Sequence, residues 1–263
     1  MTITTTGMEW AGYSCQINKA EIIRNHYVSP MMGIPRCRLS KKMSAIQANL
    51  NKILGQLDSL SRPPARLVAV SKLKPASDIK QAFENGQKHF GENYVSELTD
   101  KCSLLPSEIR WHFIGHLQSN KVNRLVSACP NLYMIETVDS IKLANKIDSA
   151  VKASGRTDKL KVLLEVKTSR EESKSGLDPR DVTALVLHIW QNCPHLEFDG
   201  LMTIADPADT EGSFKRLVEV REALLGTGAQ VNTMSMGMSG DYEEAINHGS
   251  TQVRIGSSIF GHR

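Results

Sequence analysis

The chain has no apolar run near the roughly 20 residues that a membrane-crossing helix needs, which sets aside a membrane span. It has no C-x-x-C pair: the five cysteines (Cys15, Cys37, Cys102, Cys129, Cys193) are scattered and odd in number. That pattern argues for a reducing compartment and against both a disulfide framework and a structural zinc site. H-E-x-x-H is missing too, so no metal centre is expected. No G-x-S-x-G follows an apolar run, which sets aside a hydrolase elbow. No G-x-G-x-x-G follows the first apolar run, which weakens an open dinucleotide-binding sheet. Excess charge is also missing from most of the chain. Of the net +4, residues 1–42 hold six cations and two anions, and the remainder balances. A nucleic-acid binder carries a basic face on its folded body, so nucleic acid is not an expected partner.

What is present divides at Met43. Residues 1–42 are rich in Thr, Met and basic side chains, poor in acids, and without helical period. They read either as a plain extension ahead of an alternative start or as a mitochondrial transit peptide. The expected location is accordingly the cytoplasm, or the mitochondrion if this segment targets. From Met43 to Arg263 the pattern is regular. Ile46, Leu50, Ile53, Leu54 and Leu57 predict an amphipathic helix over 44–59.

Eight apolar runs then alternate with helical segments: 66–71, 88–92, 111–115, 132–137, 161–167, 198–204, 232–237 and 252–256. Ser77 and Gly86 bracket a helix over 78–85, Asp139 and Gly155 one over 140–154. Pro179 opens 180–192, and Ser239 caps 240–248. Eight strands alternating with helices predict a single (β/α)₈ barrel of the TIM type with an extra N-terminal helix, in a chain of 263 residues.

In such a barrel the functional groups gather at the C-terminal strand ends. Strand 1 ends in Val70-Ser71-Lys72, which makes Lys72 either a partly desolvated, nucleophilic amine or a rim lysine reaching solvent. Lys74 already belongs to the loop, beside Pro75. After strand 7, Ser235-Met-Gly-Met-Ser-Gly240 is a small-residue turn leading into a helix, and Gly256-Ser257-Ser258 repeats that design after strand 8. Loops after strands 7 and 8 are the recurrent phosphate site of this fold, built from backbone N–H groups and hydroxyls. Arg254, on strand 8 itself, needs a partner if buried; Glu92 and Glu165 are the carboxylates considered for a salt bridge.

Those strand ends, taken in order, match a known family. Val70-Ser71-Lys72, Gly91-Glu-Asn93-Tyr94, Trp111-His-Phe-Ile-Gly115 with Leu117-Gln-Ser-Asn-Lys121, Glu172-Ser-Lys-Ser-Gly176, Gly200-Leu-Met202, Ser235-Met-Gly-Met-Ser239 and Val253-Arg-Ile-Gly256 with Ile259-Phe-Gly261 appear in sequence. From about residue 44 to the end, the chain resembles the pyridoxal phosphate homeostasis protein family. The resemblance implies a barrel like the N-terminal domain of alanine racemase and pyridoxal 5′-phosphate (PLP) as cofactor. It implies that Lys72 forms the Schiff base, that Asn93 lies near the ring, and that Ser235, Ser239, Gly256 and Ser257 hold the phosphate. It implies that Arg254 faces the pyridine nitrogen. One departure stands out: Val166-Lys167-Thr168-Ser169 puts Lys167 where the family carries a small polar residue.

The expected function is a PLP carrier in vitamin B6 homeostasis rather than a turnover enzyme. A racemase needs a second acid/base group from a further domain, and the chain is expected to end soon after strand 8. PLP-dependent apoenzymes are the expected recipients, and a monomer the expected state. Two other readings stay open: a weak PLP-dependent racemase or lyase, and a cofactor-free barrel that binds a protein or a phosphorylated metabolite.

Overall fold

A computed structural model describes residues 43–169 and 175–261. The segment 1–42, residues 172–174 of the Glu172–Gly176 motif and the terminal His262-Arg263 lie outside them. The chain opens with α1 (Ala45–Leu60), whose Leu50, Ile53 and Leu57 are buried as the spacing predicts. Then follow β1 (Arg66–Val70), α2 (Ala76–Glu84), β2 (His89–Glu92), α3 (Val95–Leu104), β3 (Arg110–Phe113) and α4 (Val122–Ala128). Next come β4 (Leu132–Val138), α5 (Ile141–Ala153), β5 (Leu160–Glu165), α6 (Val182–Asn192), β6 (Leu196–Met202) and α7 (Thr210–Gly226). The order closes with β7 (Thr233–Ser235), α8 (Tyr242–Asn247), β8 (Gln252–Ile255) and the single turn α9 (Ser257–Phe260). Each strand pairs in parallel with its sequence neighbour, and β1 pairs with β8 to close the barrel.

Strand alternation sorts the side chains into two layers. Ile135, Leu164 and Leu201 point outward into the large core shared with the helices. Their neighbours Met134, Leu163 and Met202 turn inward and form a small separate cluster within the barrel. Continuing that inward row by two residues on β4 and β5 reaches Glu136 and Glu165. The interior is therefore apolar in one layer and charged in the next.

Several boundaries differ from the sequence reading, each for a local reason. Ser140 rather than Asp139 caps α5, because its hydroxyl accepts the Leu143 N–H at 3.3 Å. Pro75 rather than Ser77 precedes α2, since proline's fixed φ suits a helix start. Ser239 does not cap α8; its hydroxyl accepts the Gly256 N–H at 3.3 Å and so ties the β7 loop to the β8 loop. The cysteine reading also needs correction. Cys102, on α3, and Cys129, just after α4, form a disulfide across 27 residues of sequence, with Cα atoms 5.7 Å apart. Spacing alone hides that pair because packing of α3 against α4 brings it together. Cys193 is buried and free.

Candidate functional site

The C-terminal mouth of the barrel contains a cavity of about 640 Å³. It is lined by Val70 at the end of β1, Lys72 and Lys74 just after it, Asn93 after β2 and Ile114 after β3. Ile204, Met238, Ser239, Gly240, Arg254, Gly256, Ser257 and Gly261 complete the wall. Six of the seven residues expected from the sequence (Lys72, Asn93, Ser239, Arg254, Gly256, Ser257) therefore meet in one space. Ser235 does not join them. It is fully buried, and its hydroxyl donates to Glu136 Oε2 at 2.6 Å inside the barrel.

Lys72 sits on a pinned turn. The next residue, Leu73, has φ +61°, a left-handed conformation that costs a bulky side chain about 1–3 kcal/mol. A buried ion cluster holds it there. Lys101, 6% exposed, donates its three N–H groups to Ser71 O (2.8 Å), Glu92 Oε1 (2.7 Å) and Glu97 Oε1 (2.7 Å). The Ser71 hydroxyl donates to Glu92 Oε1 at 2.6 Å, and the Leu73 N–H donates to Glu97 Oε1 at 2.6 Å. The backbone on both sides of Lys72 is thus fixed by side chains of β2 and α3. Lys74 serves a different purpose: its ammonium donates to the carbonyls of Phe260 and Gly261, both at 3.1 Å.

Across the cavity, Gly237 has φ +98°, and a Cβ there would meet Ala245 Cβ at 2.7 Å. Only glycine lets the β7 loop bend this closely over α8. That bend brings Ser239 and Gly240 beside Gly256 and Ser257. The result is a wall of hydroxyls and backbone amides of the kind a phosphate group needs.

Arg254 enters the cavity from the interior. It is 4% exposed, and Nη1 donates to Ser235 O (2.8 Å) and Ser235 Oγ (2.7 Å), while Nη2 donates to Thr203 O (2.8 Å). Neither Glu92 nor Glu165 pairs with it. Glu92 is committed to Lys101 and Ser71, and the compensating anion is Glu136, reached through Ser235. Burial lowers the guanidinium pKa from its ordinary value, opposed by the charges of Glu136, Glu165 and Asp241.

Glu136 lies at the centre of a chain of buried polar groups. Its Oε1 accepts from His112 Nδ1 (2.6 Å) and Gln252 Nε2 (2.8 Å), and Nε2 of His112 faces His89 Nδ1 at 2.8 Å. Arg110 Nη1 approaches His89 Nε2 at 3.4 Å. One tautomer assignment gives every contact a donor and an acceptor: Arg110 to His89, His89 to His112, His112 to Glu136, with both imidazoles neutral. Burial above all lowers the His89 pKa to about 2, which keeps that ring neutral. Burial alone would raise the Glu136 pKa, but His112, Arg254 and Ser235 outweigh it and hold the carboxyl below its usual range. The sequence reading missed Glu136, His112, Gln252 and Lys101. The only signal for Glu136 was an acid at an inward position of an apolar strand.

A group such as PLP fits these residues. An aldehyde needs a primary amine, and Lys72 is on the wall. A phosphate needs hydroxyls and amides, and the β7 and β8 loops supply them. A flat ring needs apolar faces, and Val70, Ile114, Ile204 and Met238 line the same space. Among the described residues, no group of His, Cys, Asp and Glu is arranged to hold a metal ion.

Comparison with known proteins agrees with this geometry. The profile of the family described as alanine racemase, N-terminal domain, matches residues 42–263. The human pyridoxal phosphate homeostasis protein is 50% identical over 211 residues, covering 75% of this chain and 76% of that one. PipY of Synechococcus elongatus, solved without PLP, superimposes with a TM-score of 0.73 at 34% identity over 82% of this chain and all of PipY. PipY solved with PLP bound gives 0.69 at 32% identity, with the same coverage. On profile, identity and fold together, this chain belongs to the pyridoxal phosphate homeostasis protein family.

Proposed function

We propose that this protein binds PLP in the cavity at the barrel mouth, attached covalently through Lys72, and serves vitamin B6 homeostasis as a carrier. The observation that carries the reading is the meeting of Lys72, Arg254 and the Ser239–Gly256–Ser257 loops in one cavity. The relatives support it, since they are named for PLP homeostasis and one was solved with PLP bound. When bound, the cofactor supplies an aldehyde that condenses with a primary amine.

The protein's own residues divide the work of holding it. Lys101 and Glu97 fix the turn that aims the Lys72 side chain. Ser239, Ser257 and the amides near Gly240 and Gly256 bind the phosphate. Asn93 stands beside the ring. Arg254 presents a permanently charged donor toward the ring nitrogen and keeps a proton off it, because a cation cannot accept one and repels another. That weakens the ring as an electron sink, which suits storage better than turnover. Tyr94 is half exposed outside the cavity, and the Tyr242 hydroxyl donates to Glu243 at 3.2 Å. PLP-dependent apoenzymes are the recipients this reading implies.

The test is to mix the protein with PLP, record the visible spectrum, reduce with borohydride and map the modified lysine by mass spectrometry. A band with the label on Lys72, absent in Lys72→Ala, is the expected result. Label spread over surface lysines and unchanged in the variant would overturn the reading.

A further inference from the structure

Beside the Lys72 cavity lies a second one of about 300 Å³, and the two share Asn93, Ile114, Ile204 and Met238. Glu165 lines it from the end of β5, together with Thr137, Thr168, His116 and Lys167. Glu165 is only 5% exposed; no described residue donates a hydrogen bond to its carboxylate, on which the charges of Arg254 and His116 act without direct contact. A carboxylate that opens onto a cavity offers acceptors to whatever enters it. The surrounding hydroxyl protons are directed elsewhere. Thr137 donates to Gly115 O at 2.7 Å, and Thr203, which shares a 2.7 Å contact with Thr168, donates to Val166 O at 2.9 Å. Their oxygens remain acceptors, so this part of the wall asks for donors.

We propose that this second cavity is a binding site for a small organic cation bearing a primary ammonium group, with Glu165 as its counter-ion. An ammonium has three donors and no acceptor, which matches a carboxylate flanked by threonine oxygens. A metal ion is a poorer match, because hard cations take six or more oxygen ligands and a single carboxylate lies here. Burial and the charge of Asp139 raise the Glu165 pKa, while Arg254 and His116 oppose them. The site rests on its own cavity and does not require the cofactor reading.

The test uses the full chain without PLP at pH 8, titrated with propylammonium chloride and followed by amide NMR shifts. Saturable shifts at Glu165, Thr137 and Thr168 are expected in the wild type. Affinity should fall at least about tenfold in Glu165→Gln, roughly the loss of one charge-assisted hydrogen bond, and partly return in Glu165→Asp. Propionate should give no shifts, and Lys167→Met should keep them. Absence of wild-type saturation, or equal affinity in Glu165→Gln, overturns the site. If Glu165→Gln does not fold, wild-type shifts confined to residues away from β4 and β5 overturn it equally. PLP uptake measured in parallel separates the two readings. Uptake without amine binding removes only this site, and amine binding without uptake removes only the cofactor.

Discussion

Glu136 and Glu165 are the same residue type on adjacent strands, both facing inward and both nearly sealed from solvent, yet the barrel treats them in opposite ways. Glu136 receives three donors, from His112, Gln252 and Ser235, and Arg254 lies one hydrogen bond further on. Its carboxyl is held below its usual pKa. Glu165 receives none among the described residues, and its carboxyl is pushed up. Burial is common to both, so the donor count decides. Glu136 completes the interior, whereas Glu165 leaves an acceptor for something that enters the barrel mouth.

The largest effect should come from breaking the satisfied side. Glu136→Leu leaves Arg254, Gln252, Ser235 and His112 around an apolar side chain. The loss of one partner from a buried charge pair costs about 3–5 kcal/mol. In a barrel of this size, that lowers the melting temperature by on the order of 10 °C. Calorimetry checks it. A change within error would mean that Glu136 is not the anion that balances Arg254. The pH dependence has a definite sign. A carboxyl held low in the folded state adds stability above its unfolded value of 4.5, and that stability drains away as pH falls below it. Glu136→Gln should therefore flatten the acid limb of the stability curve.

A smaller effect is expected one step along the chain. Ser235→Ala removes the hydroxyl between Arg254 and Glu136 but leaves both charges in place. Loss of a hydrogen bond to a charged group costs about 1.5–3 kcal/mol. Urea unfolding should place this variant between the wild type and Glu136→Leu. If it matches Glu136→Leu, the serine rather than the carboxylate holds the arginine.

The same contrast explains what could be read before folding. Lys72, Ser239, Gly256 and Ser257 were legible because each follows an apolar run and the barrel's geometry sends strand ends to one place. Arg254 was legible as a residue but not in its partner. The carboxylates considered for it were Glu92 and Glu165. The carboxylate tied to it through Ser235 lies on β4, and its own donors come from 99 residues away at Ser235 and 116 at Gln252. A lone Glu in Leu132-Tyr-Met-Ile-Glu-Thr-Val138 names no partner, since closure of the barrel alone brings those strands together. Ser235 lies apart for the mirror reason: its motif suggested the phosphate loop, but its position on the strand turns the hydroxyl inward to Glu136.

The smallest effect should be Glu165→Gln, and its direction is the sharper test of the comparison. An amide fills nearly the same volume without the charge, so the cavity wall loses an anion to which no described residue donates. Folded stability should rise slightly near neutral pH, because the raised pKa means that the folded state disfavours the charged carboxylate. The sign follows from proton binding. With its folded pKa above the unfolded 4.5, Glu165 holds a proton more tightly when folded, so the wild type loses stability as pH rises through that interval. The variant should lack that decline and coincide with the wild type at acid pH, where both side chains are neutral. Parallel curves at every pH would mean that Glu165 already has a donor in solution, and the two carboxylates would then differ in place but not in kind.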